Sequence, residues 1–327
     1  PRHYHAFSQE GVNSWYRRQE ELDLPIVWGG SLEWFASDSR QARLANDITE
    51  QQAWGEPARM LTSAEAQARE PAVNFHGATQ VASSPRDGAI DPVLVSKALV
   101  AAAIQQGAQV LERCEVLGVD DSSDHNGKLL RTSCGPIEAH RVVLATGPDP
   151  AAVKRFGGFD LPQRSTPGVI VVTRPVKPLL CGILVAPGIH IHQRMDGRLV
   201  IGEQEGAPDT AAHAARLAER PRRFPDDSVA DQHAQRLLAT TRDYLPSIGE
   251  VEVDEVIIGW RPLPVDGHPV IGPSPADDRV YVAIMHSGVS LAAITGDLVA
   301  REVADGVEMA LLQPFRANRV FDTKNRY

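Results

Sequence analysis

The sequence has only three cysteines in 327 residues, Cys114, Cys134 and Cys181, and no C-x-x-C pair. An odd, widely spaced set of this kind excludes a disulfide framework and gives no zinc-finger spacing, and a reducing, cytoplasmic compartment is the expectation. No apolar run approaches the roughly 20 residues that a bilayer-spanning helix needs, so no transmembrane segment is expected. The opening residues, PRHYHAFSQEG, contain neither an apolar signal core nor a methionine; the sequence is expected to begin inside a longer product or after processing. Lys/Arg-rich runs are missing and the formal net charge is −9, which argues against a nucleic-acid partner. The basic residues near the end, Arg316, Arg319, Lys324 and Arg326, read as a solvated tail. G-x-G-x-x-G, P-loop and G-x-S-x-G motifs are absent as well. NTPase and hydrolase chemistry therefore have no support, and a nicotinamide dehydrogenase would lack its fingerprint.

What is present is an ordinary globular composition, 43% apolar and 23% charged, in a chain long enough for two domains or one large composite. Residues 7–22 place Phe7, Val12, Trp15, Tyr16 and Leu22 near helical spacing despite Gly11. Two short strands, or one with a bulge, are expected over 25–36, and Thr62-x-x-Glu65 is a capping box for a short helix ending at Pro71. Asp91 and Pro92 start a helix whose inward face would be Leu94, Ala98, Ala101 and Ile104, with Gly107 after its end. Extended segments follow at 108–112, in CEVLGV (114–119), in a hairpin over 128–138 and in the strand 141–146, after which Asp149-Pro150 could start a helix. The order implies a layered α/β domain. Antiparallel β structure is expected over 161–206, with a turn at Met195-Asp196-Gly197, then a surface segment at 207–228 and a helix at 229–244. The last units are kinked β structure at 253–272, a buried strand at 279–288 and a helix from Ser290 to Asp305 with Leu291, Ile294, Leu298 and Val299 inward.

Two stretches could carry chemistry. The strand over 279–288 delivers His286-Ser287-Gly288 to the start of a helix, whose free N–H groups and dipole favour negative charge. The rival reading is a capped helix after a buried strand. In GWRPLPVDGHPVIG (259–272), Arg261 stands among Trp, Leu, Pro and Val, where a guanidinium is costly to bury without an acid. Its partner is either a substrate carboxylate or an internal acid such as Asp266. His190 and His192 share one face of an expected strand, without a third ligand nearby to make a metal site; they read as two polar-face histidines. The tryptophans around Gly29-Gly30 read as packing.

Taken in order, GAIDP (88–92), CEVLGV, VVLATG (142–147), the Arg261 stretch and MHSGVSLAAITGDLVA (285–300) resemble motifs of the FAD-dependent D-amino-acid oxidase (DAO) superfamily, in its glycine and sarcosine oxidase-like branch. The resemblance implies an α/β fold: a Rossmann-like FAD-binding domain with ββα three-layer architecture and a β-rich α+β substrate domain. The flavin domain would comprise 1–24, 87–160 and 256–327, and the substrate domain 25–86 and 161–255. In this family a glycine-rich βαβ unit precedes the segment similar to HYHAF, so the sequence is expected to start after it. By the same resemblance, FAD would meet the backbone of Val116 at its adenine, then Ala145, Thr146 and Gly147, then Gly259, and His286, Ser287, Gly288, Val289, Ser290 and Leu291 around its ring. Arg261 and His286 would be the catalytic pair, Arg261 gripping the substrate carboxylate. His286 stands where glycine oxidases carry a second substrate-facing arginine. No cysteine lies near Arg261, so non-covalent FAD is implied. The implied function is oxidation of an amino acid or secondary amine to an imine by hydride transfer to flavin N5. The partner would be that small molecule, with a homo-oligomer also compatible. The alternative is a non-catalytic or electron-passing subunit of a hetero-oligomeric dehydrogenase.

Overall fold

The computed structural model describes residues 1–123, 126–204 and 227–322. The surface segment expected at 207–228 lies almost wholly outside them. The chain begins with α1 (Arg2–Leu22), β1 (Ile26–Val27), β2 (Ser31–Glu33), α2 (Asp38–Ala53), β3 (Arg59–Thr62), α3 (Ser63–Arg69), β4 (Gln80–Ser84), β5 (Ala89–Ile90) and α4 (Pro92–Gln105). Next come β6 (Val116–Asp121), β7 (Lys128–Thr132), β8 (Gly135–Ala139), β9 (Val142–Leu144), α5 (Pro150–Gly157) and β10 (Gln163–Thr173). The rest is β11 (Ile183–Ala186), β12 (Ile189–Gln193), β13 (Leu199–Glu203), α6 (Asp227–Tyr244), β14 (Val253–Pro264), β15 (Val270–Pro273), β16 (Val280–Ile284) and α7 (Ala292–Ala300).

These elements divide into two compact units. The first holds residues 1–24, 96–166 and 261–327, the second 25–95 and 167–260. Residues 87–95 go with the second unit, where Ala89 and Ile90 pair with Val27 and Ile26.

The second unit is built on a sheet in the order β14-β10-β13-β12-β11-β2-β4-β3. The expected turn at Met195-Asp196-Gly197 joins β12 to β13, with Gly197 at φ +87°. Alternation along the strands buries Leu184, Ile189, Ile191, Leu199 and Ile201 against Leu237, Leu238 and Leu245 of α6 and its exit. The Thr62 capping box forms as expected, with Thr62 Oγ1 accepting from Glu65 N–H and the Glu65 carboxylate accepting from Thr62 N–H. Trp34 meets Phe75 at a tilt and Tyr244 edge-on inside this core. A Cβ on Gly29 would lie 1.8 Å from the Cys181 carbonyl oxygen, so only glycine lets these two backbones meet.

The first unit contains two small sheets. One, β15-β16-β9, pairs β15 with β16 antiparallel and β16 with β9 parallel. The other is the antiparallel meander β6-β7-β8. Helix α1 packs Phe7 against Leu291, Ile294 and Phe315 in one cluster, and Val153 of α5 joins Val142, Leu144 and Val282 in another.

Three expectations need correction. Asp91 does cap α4, accepting from Val93 and Leu94 N–H, but the expected inward face is wrong. Leu94 and Ile104 are 52% and 50% exposed, and Val95 is the buried residue. The helix is apolar nearly all round, so periodicity could not choose its face. Residues 108–112 form no strand: Val110 and Leu111 stand 47% and 53% exposed, and among the described residues no strand pairs with them. Of the supposed basic tail, Lys324 and Arg326 lie outside the described residues, while Arg316 and Arg319 are structural. Arg316 lies against the buried Glu302, and Arg319 grips Asp266 through Nε at 2.8 Å and Nη2 at 3.0 Å.

Candidate active site

Strands β9 and β16 run the same way, in the register Val142↔Val280, Val143↔Tyr281 and Leu144↔Val282. Their C-terminal ends therefore open on one edge, where open α/β sheets bind ligands. Ala145, Thr146 and Gly147 leave β9 at that edge, and Met285 to Leu291 leave β16 beside them. Gly147 has φ +61°, with no atom within 4 Å of where a Cβ would stand. The left-handed backbone, and not crowding, calls for glycine here. Thr146 Oγ1 is buried and has no hydrogen-bond partner among the described residues. Asp149 then caps α5, accepting from Ala151 N–H at 3.0 Å and Ala152 N–H at 3.2 Å.

The turn after β16 is held from behind by α1. Tyr4 Oη and Ser287 Oγ share a hydrogen bond of 2.7 Å. Trp15 Nε1 donates to both Val289 O and Ser290 O at 3.1 Å. A Cβ on Gly11 would stand 3.1 Å from Ser290 O, so the glycine lets the helix approach. Gly288, Val289 and Ser290 are exposed, whereas the Leu291 side chain is fully buried; toward a ligand, Leu291 can offer only main chain. Leu291 is the N-cap of α7 without a side-chain cap, so the positive end of that helix dipole lies at this turn.

Arg261, on β14, is half-buried, and among the described residues no carboxylate pairs with it. Asp266, the internal acid that could have claimed it, is taken by Arg319. Burial alone lowers the guanidinium's pKa, and it remains a cation at any physiological pH. His286 is also half-buried. Its pKa is pushed below the ordinary value first by burial and second by the positive charge of Arg261. The two side chains are thus electrostatic neighbours, and the histidine is neutral at pH 7. Val116 opens β6 opposite Thr132, beside a bulge before Gly118. Gly259 lies two residues before Arg261 on β14, in the second unit, and among the described residues its Cβ position, its chain neighbours apart, would meet Gly168 O at 3.9 Å.

The structure therefore gathers Ala145–Gly147 with His286–Leu291 on one sheet edge and couples Arg261 to His286. Val116 belongs to the other small sheet. Sequence reasoning missed Tyr4, Gly11 and Trp15 as supports of the turn. Their spacing of seven and four residues along one helix face was the available signal. His190 and His192 share a face of β12, but His192 Nε2 is buried. No group of three or more His, Cys, Asp or Glu fit to hold a metal ion occurs among the described residues.

Residues 1–302 match the DAO family, described as FAD dependent oxidoreductase. The chain belongs to this family. It is 29% identical over 307 residues to a glycine oxidase of Geobacillus kaustophilus (strain HTA426), covering 93% of this chain and 77% of that protein. It is 25% identical to an opine oxidase subunit of Agrobacterium tumefaciens (strain Ach5), covering 71% of this chain and 57% of that one. The crystal structure of glycine oxidase from Geobacillus kaustophilus superimposes with a TM-score of 0.82 at 28% identity, over 97% of this chain and 83% of the other. As a DAO-family protein, the chain uses FAD. The residues present suit that group: a buried hydroxyl without a partner at Thr146, the left-handed Gly147 and an uncapped helix start sharing one sheet edge.

Proposed function

We propose that this protein oxidises a small amino acid or secondary amine to an imine, with Arg261 as the carboxylate anchor. The observation that carries the reading is a half-buried guanidinium that no acid among the described residues neutralises. Such a cation favours an anionic ligand, and a carboxylate can meet it with two parallel N–H···O bonds. Anchoring fixes the substrate's orientation, which is most of what the protein must contribute. Bound non-covalently, FAD would supply the two-electron redox chemistry as the hydride acceptor, while Arg261 would hold the substrate's carboxylate.

His286 offers a neutral hydrogen-bonding group beside the anchor. A second cation there would grip a carboxylate twice; a neutral imidazole grips it once and leaves room for a substituent on the amine. This favours an amine other than glycine. No side-chain base need remove a Cα proton if the amine binds neutral. Thr146, Gly147 and the main chain of residues 286–291 would hold the flavin, and Val116 its adenine. The first unit, which carries Arg261 and His286, would then be the flavin domain.

A second reading, a non-catalytic or electron-passing subunit, is favoured by the relative named as an opine oxidase subunit. Purification of the full-length gene product separates them. A yellow protein bleached anaerobically by candidate amines supports the enzyme. A colourless protein that co-purifies with a second chain supports the subunit.

A further inference from the structure

Cys114 and Cys134 are twenty residues apart in sequence, yet the meander β6-β7-β8 brings them together. Cys134 is the second residue of the two-residue turn between β7 and β8. Cys114 stands two residues before β6, and that lead-in is tied to the turn. Ser133 N–H donates to Glu115 O at 2.9 Å, and Glu115 N–H donates to Ser133 Oγ at 2.9 Å. Both cysteines then converge on one hydroxyl: the Cys114 thiol donates to Thr132 Oγ1 at 3.3 Å, and Cys134 N–H donates to the same atom at 3.1 Å. Cys114 is half-buried and Cys134 exposed. Cys181 belongs to the other compact unit.

We propose that Cys114 and Cys134 are a reversible redox pair that closes to an intramolecular disulfide when the protein meets a peroxide. The two thiols are chemically unequal. The nearness of Cys134 first, and of Thr132 next, holds the pKa of Cys114 down, and that of Cys114 holds the pKa of Cys134 up. Cys114, held at Thr132 Oγ1, is assigned as the nucleophile and Cys134, on the exposed turn, as the resolving thiol. The Cys114 thiolate attacks one oxygen of hydrogen peroxide; an S–O bond forms, the O–O bond breaks, and the departing hydroxide takes a proton to become water. Cys134 sulfur then attacks Cys114 sulfur; the S–S bond forms, the S–O bond breaks, and the thiol proton leaves with the hydroxide as a second water. Two thiols lose two electrons, and one peroxide becomes two waters. The disulfide staples the lead-in of β6 to the β7–β8 turn, and a reducing thiol reopens it by exchange.

The test is peroxide titration of the native full-length gene product, followed by alkylation and tryptic mapping. Cleavage after Arg113, Lys128, Arg131 and Arg141 puts the cysteines on peptides 114–128 and 132–141. The expected product is these two peptides joined, lighter by two hydrogens and separated again by dithiothreitol, while Cys181 stays alkylated. In Cys134→Ser, Cys114 should stop at the sulfenic acid and be trapped by dimedone. In Cys114→Ser, Cys134 should stay reduced at the same dose. Thermal melts of both variants confirm the fold. The proposal is overturned if Cys114 and Cys134 remain alkylated at doses that oxidise Cys181, if the cross-links join separate molecules, or if Cys134→Ser leaves Cys114 unreacted.

Discussion

Arg261→Ala separates a substrate anchor from a structural cation. As an anchor, Arg261 gives a carboxylate two charge-assisted hydrogen bonds, each of about 1.5–3 kcal/mol. The side chain is only half-buried, so water in the truncated site recovers part of that. A loss of about 3–4 kcal/mol remains, which lowers kcat/KM by roughly 10²–10³-fold. The carboxylate is held alike in ground and transition states, so the loss should fall on KM and leave kcat nearly intact. Arg261→Lys keeps the charge but not the fork, and should lie between wild type and alanine. Flavin absorbance should persist in both variants. Stability supplies the opposing readout. A structural Arg261 would leave a buried acid behind and lower the melting temperature. No acid among the described residues pairs with it, so alanine should remove only a partly desolvated cation, and the melting temperature should hold or rise. Steady-state kinetics and calorimetry on the same preparations decide between them. Unchanged KM, or a marked drop in melting temperature, refutes the anchor.

The same variant should also move His286. Arg261 is the second cause of its depressed pKa, after burial, so Arg261→Ala should raise the imidazole's titration part of the way back, visible in ring NMR shifts or the acid limb of the rate profile. His192 titrates at about 4, lowered from 6.5 by burial first and then by His190 and Arg194. A depressed histidine contributes stability that is full above the unfolded pKa and lost as pH falls from 6.5 toward 4, about 3 kcal/mol in all. His192→Val should therefore flatten the loss of stability on acidification in denaturant titrations between pH 7.5 and 4.5. Glu302 accepts from Arg316 Nη1 and from Met309 N–H at 2.7 Å, and from Tyr281 Oη. Glu302→Ala strands a buried guanidinium and should cost about 3–5 kcal/mol in urea unfolding, more than Glu302→Gln. Thr146→Val should weaken FAD binding by about 1 kcal/mol, some five- to tenfold, without lowering stability of the flavin-free protein.

Local chemistry was readable without coordinates wherever a residue and its partner are close in sequence. The Thr62 and Asp91 caps, the Gly197 turn and the helix that Asp149 caps all formed as expected. The family was legible too, because motif order survives in the chain even when geometry is unseen. The face of α4 was not legible, since a helix apolar on every side has no preferred direction until something packs against it. The roles of Arg316 and Arg319 were hidden for a related reason: charge near a terminus usually meets water, and their acids, Glu302 and Asp266, are 14 and 53 residues away.

By itself the sequence determined helices, strands, turns and the candidate ligand-facing motifs, because each depends on propensities and hydrogen bonds within a few residues. Tertiary structure alone decided which acid pairs with which base. Asp266 goes to Arg319, which leaves Arg261 beside His286 with no acid among the described residues. It also brought Cys114 and Cys134 to one hydroxyl, that of Thr132, through the β6–β7–β8 meander. Ion pairs and thiol contacts form wherever the folded chain brings groups within a few ångströms, and distance along the sequence does not record that.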